Sequence, residues 1–116
     1  KPIAEFQAIQ FYLAEMATRI YAMEQMVYHS AWLMEQGEPV TMPGSMIKLF
    51  CTEHSSWIIN KSLQIHGGMG YSSELPIERM FRDARIFEIF EGTNEIQKVV
   101  IARELLKDKK KELTRV

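Results

Sequence analysis

From Ile3 to Gln36 the sequence contains neither Gly nor Pro, and this uninterrupted stretch sets what the chain can fold into. Its apolar residues recur through Phe6, Ile9, Leu13, Met16 or Ala17, Ile20, Met23 and Val27. That spacing is the stripe of an amphipathic helix, not the alternation of a strand. One long helix is expected, stopped by Gly37, Glu38 and Pro39. Some 30 residues at ~1.5 Å each make a rod of about 45 Å. Such a rod is longer than a small core requires, so it is expected to reach toward a partner.

The remaining segments read the same way. Thr41, Pro43 and Ser45 offer start signals for a second helix through Ile47, Phe50, Cys51, His54, Trp57, Ile58 and Ile65. The run His66-Gly67-Gly68-Met69-Gly70 ends it, because closely spaced glycines disfavour helix and permit backbone angles other residues avoid. Tyr71 to Leu75 reads as a turn, and Pro76 opens a third helix through Ile77, Met80, Phe81 and Ala84. Ile86 to Phe90 is ambiguous between helix and extended chain, and Gly92 breaks it. Thr93 or Asn94 can cap a last helix carrying Ile96, Val99 or Val100, Ala102 and Leu106, with Asn94 and Gln97 spaced as a capping box. Lys107 to Lys111 is expected to be its solvated end. With no β alternation and no repeat, the expectation is one all-α domain over residues 1–116, a four-helix up-down bundle of two long and two shorter helices.

Composition narrows the function. Fourteen Lys and Arg balance 15 Asp and Glu, which weighs against nucleic-acid binding by bulk charge. The single Cys51 excludes an internal disulfide framework and fits a reducing compartment. No apolar run has the length of a membrane span, and no signal peptide is visible. The chain starts with Lys1, which suggests a piece of something longer. Eight Met residues suit a packed helical core, with a Met-rich binding groove as the lesser reading.

Four clusters could carry chemistry. Gln64-Ile65-His66-Gly67-Gly68-Met69-Gly70 either stops a helix or leaves backbone N–H groups open to a phosphate; no strand precedes it, so it is not the dinucleotide fingerprint. Glu91, between an apolar stretch and a helix start, is either a surface acid favoured by the helix dipole or a buried carboxylate acting as a proton acceptor. Glu78-Arg79 and Arg82-Asp83-Ala84-Arg85 are spaced for ion pairs along a helix. Cys51 and His54 share a helix face, but no second ligand pair completes a metal site, and none is expected.

Taken together, QIHGGMGYSSELPIERMFRDARIFEIFEGTNEIQKVVIAREL (Gln64 to Leu105) closely resembles the C-terminal signature of acyl-CoA dehydrogenases, and Lys1 to Gln7 resembles the segment that follows the family's Arg-x-x-Phe-Gly motif. The resemblance covers nearly the whole chain. It implies the C-terminal helical domain of a longer enzyme, whose N-terminal helical and middle β domains are absent here. It also implies FAD as cofactor, an acyl-CoA substrate, an electron-transferring flavoprotein as electron acceptor, and a homo-oligomer, dimer or tetramer. The implied location is the cytoplasm of a prokaryote or the mitochondrial matrix of a eukaryote.

Residue by residue, Glu91 matches the base of the short-chain, medium-chain and very-long-chain branches, which removes the α-proton while the β-hydrogen leaves as hydride to flavin N5, giving a trans-2-enoyl-CoA. Gly92 matches a substrate contact, and Thr93, Asn94 and Glu95 match contacts to the flavin nucleotide at a helix start. Gln64, Ile65, His66, Gly67 and Gly68, with Phe6 and Gln7, match contacts to the ADP part of FAD held mainly by a neighbouring subunit. Many relatives have His where Phe6 stands, and some have Gln at position 95. Two other readings stand beside this one: a related acyl-CoA oxidase or acryloyl-type reductase, and a helical assembly module without redox function.

Overall fold

The computed structural model describes the backbone of residues 1–113 and the side chains of residues 1–107. It is all helical: a 3₁₀ turn at Ile3–Glu5, then α1 (Gln7–Glu35), α2 (Thr41–His66), the single turn α3 (Gly68–Tyr71), α4 (Ile77–Phe87) and α5 (Asn94–Leu113). The long first helix starts later than its apolar pattern suggests. Phe6 is extended (φ −79°, ψ 132°), and its carbonyl accepts the N–H groups of Ile9 and Gln10. Gly37 at φ 74° ends the helix with a bond from its N–H to the Met34 carbonyl.

Helix α2 is the hub. α1, α4 and α5 all pack on it, and among the described residues no two of those three bring Cα atoms within 8 Å of each other. α1 runs antiparallel to α2. Tyr12 meets Trp57 edge to face, the Ser62 hydroxyl points to the Met16 sulfur, and Arg19 meets His54. α4 returns along another side of α2, where the Ser56 hydroxyl donates to the Ala84 carbonyl. The result is a rod of 67 × 27 × 26 Å in which Met16 and Ala84 are the buried apolar residues.

The glycine run does more than stop α2. Gly67 adopts φ 63°, and the chain then winds one further helical turn, α3, through glycines expected from sequence only to end a helix. Gly70 explains it: a Cβ there would lie 2.7 Å from the Leu63 carbonyl oxygen and 2.9 Å from His66 Cβ. Glycine permits α3 to lie against the end of α2, and that packing overrides its poor helix propensity. Ile86 to Phe90 resolves as helix to Phe87 followed by turns. Along α4, Glu78 pairs with Arg82 at 3.1 Å and Arg85 with Glu88 at 3.6 Å, exposed pairs of small energetic weight. The side chains of 108–111, expected to solvate the end of α5, lie outside the described residues.

Candidate active site

After α4 the chain makes a strained turn. Glu91 lies at φ 57° and Gly92 at φ 86°, and Glu91 is the described non-glycine residue with positive φ. A left-handed non-glycine residue costs about 1–3 kcal/mol and persists only where its surroundings impose it. Several bonds do so here. The Asn94 N–H closes on the Glu88 carbonyl at 3.0 Å. The Gln97 amide reaches back to the carbonyls of Gly92 (3.3 Å) and Glu91 (3.5 Å). From α2, Lys48 Nζ donates to the Gly92 carbonyl at 2.7 Å and to Asn94 Oδ1 at 2.9 Å. Asn94, only 4% exposed, donates to Thr52 Oγ1 at 2.9 Å, and Thr52 donates to the Lys48 carbonyl at 2.6 Å.

This turn presents groups outward. Among the described residues the backbone N–H groups of Glu91, Gly92 and Thr93 and the Glu91 carboxylate have no hydrogen-bond partner. Successive free N–H groups beside a carboxylate can bind a carbonyl oxygen while the carboxylate takes or gives a proton next to it. One expectation needs correction. Glu91 is exposed, and Phe87, Ile89 and Phe90 around it are 48%, 46% and 42% exposed, so the apolar setting suggested by sequence is not closed within this chain. A second concerns the cap. Thr93 supplies it, accepting the Ile96 N–H at 3.3 Å, while Asn94 and Gln97 make other bonds, so no Asn94–Gln97 capping box forms.

The second group of candidate residues lies elsewhere on α2. His66 Nδ1 donates to the Ser62 carbonyl at 2.7 Å, and the residue is exposed. Gly67 and Gly68 have open space where a Cβ would stand. Gln64, His66, Gly67 and Gly68 are exposed and Ile65 is half-buried. The antiparallel register puts exposed Phe6 and Gln7 at this same end of the α1–α2 pair, with the Lys1 ammonium 4.7 Å from the Phe6 ring centre. From Thr52 to His66, α2 rises about 20 Å. The candidate residues therefore form two separate surfaces, Glu91 to Glu95 at one and Phe6, Gln7 and Gln64 to Gly68 at the other. The donor sets suit the polar parts of a dinucleotide: the Thr93 hydroxyl and the start of α5 at one surface, side-chain amides, His66 and the Gly68 backbone at the other. The Glu95 carboxylate, in the first turn of α5, competes with an anion there.

Sequence reasoning missed Lys48 and Thr52. One signal was available: Lys48 is a lone charge in the apolar run Met46-Ile47-Lys48-Leu49-Phe50. His54, weighed as a metal ligand, instead accepts a bond from Arg19 Nε at 3.0 Å, while that guanidinium stacks on Trp57 at 3.6 Å from the ring centre. Burial, followed by the Arg19 charge, pushes the His54 pKa below its ordinary value, against a smaller opposing pull from Glu53. Among the described residues no three His, Cys, Asp or Glu side chains converge as a metal site, and no helix is long and apolar enough to cross a membrane.

Comparison with known proteins adds the context. The profile of the acyl-CoA dehydrogenase C-terminal domain matches residues 1–106. Acryloyl-CoA reductase (NADH) of Anaerotignum propionicum is 51% identical over 107 residues, covering 92% of this chain and 27% of that protein. The caffeyl-CoA reductase–Etf complex subunit CarC of Acetobacterium woodii is 47% identical over 107 residues, 92% of this chain and 28% of its own length. The solved butyryl-CoA dehydrogenase of Megasphaera elsdenii superposes with a TM-score of 0.88 at 40% identity, over 91% of this chain and 28% of that one. The chain thus spans about a quarter of the length of the relatives it matches. It belongs to the acyl-CoA dehydrogenase family, and its helices form that family's C-terminal domain.

Proposed function

We propose that the chain is the C-terminal helical unit of an FAD-dependent enzyme that forms or reduces the α,β double bond of an acyl-CoA thioester, with Glu91 as its acid–base group. The observation that carries this is the turn: Glu91 is held left-handed and exposed at the start of α5, beside three backbone N–H groups that have no partner among the described residues. In the dehydrogenation direction the Glu91 carboxylate takes the α-proton. The Glu91 N–H donates to the thioester carbonyl as charge builds on that oxygen. Gly92, without a side chain, lets the acyl thioester approach the turn. FAD, when bound, supplies the two-electron acceptor for the β-hydrogen.

Thr93 and Glu95 would meet the flavin nucleotide of one active site, while Asn94, matched to the same contact by sequence, is 4% exposed with its amide held by Lys48 and Thr52 and would shape the start of α5 beneath them. Phe6, Gln7, Gln64, Ile65, His66, Gly67 and Gly68 would meet the ADP part of another copy's FAD. The two surfaces meet α2 at levels about 20 Å apart, near Thr52 and at His66, which supports their serving different parts of the cofactor. A homo-oligomer follows, dimer or tetramer, and an electron-transferring flavoprotein is the proposed redox partner. Since Glu91 is exposed in this chain, the water exclusion that proton transfer requires comes from surfaces outside it, and the 116 residues alone are catalytically silent.

The reverse direction has its own support, since the Anaerotignum propionicum and Acetobacterium woodii relatives carry reductase names. There Glu91 as the carboxylic acid gives the α-proton, by microscopic reversibility. The test uses the flavoenzyme containing this chain, anaerobically, with a panel of saturated and α,β-unsaturated acyl-CoAs. Bleaching of the flavin band by the saturated thioester and recovery of pre-reduced enzyme by the unsaturated one are the two directions of one half-reaction, so their relative extents at equal thioester concentration mark the favoured direction. Glu91→Gln should slow either at least about 100-fold with flavin retained. An unchanged rate would remove Glu91 from its role, and absence of flavin in both proteins would favour an assembly module.

A further inference from the structure

Glu91 is the described non-glycine residue at positive φ, and a conformation of that kind needs an anchor. Most of the bonds that shape its turn arise within residues 88–97 and move with it: the Asn94 N–H to the Glu88 carbonyl, and the Gln97 amide to the carbonyls of Glu91 and Gly92. Among the described residues, Lys48 is the donor from another helix that reaches the turn's backbone. Its bond to the Gly92 carbonyl is 2.7 Å, against 3.3 Å for Gln97 on the same oxygen, and it carries a full charge. A second N–H of the same ammonium holds Asn94 Oδ1 at 2.9 Å, and Thr52 holds the other end of that amide. The ammonium and the Asn94–Thr52 pair therefore do different work. The pair fixes the first residue of α5, while Lys48 fixes the carbonyl next to Glu91 and ties it to the hub helix.

We infer that Lys48 is the positioning residue of this site: by holding the Gly92 carbonyl it keeps Glu91 left-handed and its carboxylate aimed at the substrate side. The inference rests on Glu91 being the acid–base group, and its test separates the two. Lys48→Met keeps the stem and removes the donor, Lys48→Arg restores a donor, and Thr52→Val loosens Asn94 while leaving the Gly92 carbonyl held. In the 116-residue chain, amide hydrogen exchange at Asn94, whose N–H closes the turn on Glu88, should be at least about tenfold faster in Lys48→Met and near wild type in Lys48→Arg. In the flavoenzyme, the anaerobic rate per bound flavin at saturating acyl-CoA should fall about 10- to 100-fold in Lys48→Met, as expected for a misplaced reacting group. KM should stay within about threefold, Lys48→Arg should recover most of the rate, and Thr52→Val should lose stability with little change in rate per flavin.

Unchanged exchange at Asn94 overturns the inference, as does faster exchange with an unchanged rate. If Lys48→Met fails to fold or to hold flavin, Lys48→Arg decides: a rate per flavin as low as that of Glu91→Gln overturns it. A wild-type enzyme that neither bleaches nor recovers its flavin band removes the role given to Glu91, and that outcome is read apart from the exchange result.

Discussion

At Glu91 the demands of backbone and chemistry diverge. Its φ of 57° suits Gly or Asn, yet the residue there is a carboxylic acid whose side chain forms no hydrogen bond among the described residues. The side chain therefore contributes little to folding, and substitutions report the backbone alone. Glu91→Gly should relieve roughly 1 kcal/mol of strain, offset by a similar gain in unfolded-chain freedom, and so leave stability within about 1 kcal/mol of wild type. Glu91→Ile, β-branched in the left-handed region, should lose about 2 kcal/mol more than the Gly variant. Urea denaturation compares them, and equal midpoints would mean that the left-handed turn carries no strain. Both variants should lack flavin bleaching in the parent enzyme, which would separate what this position does for stability from what it does for chemistry.

Among elements, the contact of α1 with α2 carries the chain's clearest pH dependence. His54 accepts from Arg19, an arrangement that requires a neutral imidazole nitrogen, and its pKa lies below the ordinary 6.5. The sign follows from linkage. As pH falls below about 6.5 the unfolded chain takes up a proton that folded His54 still refuses, so the unfolded state binds more protons and stability declines. The decline ends once pH passes below the folded pKa. His54→Gln keeps an acceptor for Arg19 without titrating. The urea midpoint of the wild type should therefore drop more between pH 7.5 and 5.5 than that of His54→Gln, and parallel profiles would assign the pH dependence to other groups. The end of α2 makes a second case. Gly70→Ala, which sets a Cβ against the Leu63 carbonyl, should lose about 1–3 kcal/mol, whereas Gly68→Ala, facing open space in the same turn, should be neutral or slightly stabilising. These same elements show what sequence could convey. Stops at Gly37 and Gly67 were legible because the positive φ each adopts is a local property that glycine alone takes easily, whereas Gly92 also has positive φ but α4 ends before it, at Phe87. The family motifs singled out Glu91 and the glycine run as candidates for a related reason, being contiguous in the chain. α3 was not legible, since its formation depends on packing against Leu63 and His66 that outweighs propensity. Neither was the Lys48–Asn94–Thr52 network, which joins residues 42 to 46 positions apart.

For the whole molecule, surface area is the informative quantity. The chain exposes 8634 Å², and a compact monomer of 13.5 kDa exposes about 6,500 Å². Its radius of gyration is 18.5 Å, where a compact domain of this length has about 13 Å. The excess of about 2,000 Å² equals two to three standard interface halves of roughly 800 Å² each. Much of what is exposed is apolar: Phe11, Tyr21, Tyr28 and Trp32 along α1 are 54–67% exposed, and Leu105 and Leu106 on α5 exceed half. With Met16 and Ala84 as its buried apolar residues, the chain has little core of its own, and surfaces of this kind are stable when covered. If other copies provide the cover, as the proposed oligomer requires, the 116-residue chain should self-associate at tens of micromolar. Sedimentation velocity would show the mean mass rising with concentration, and helicity by circular dichroism should rise with it, because folding and assembly are then linked. Tyr21 and Tyr28 lie seven residues apart on one face of α1. Replacing both with Glu should weaken association at least about tenfold by placing charge in the contact. A wild-type chain that stays monomeric and fully helical across the concentration range would place the cover elsewhere, on surfaces that are not copies of this one.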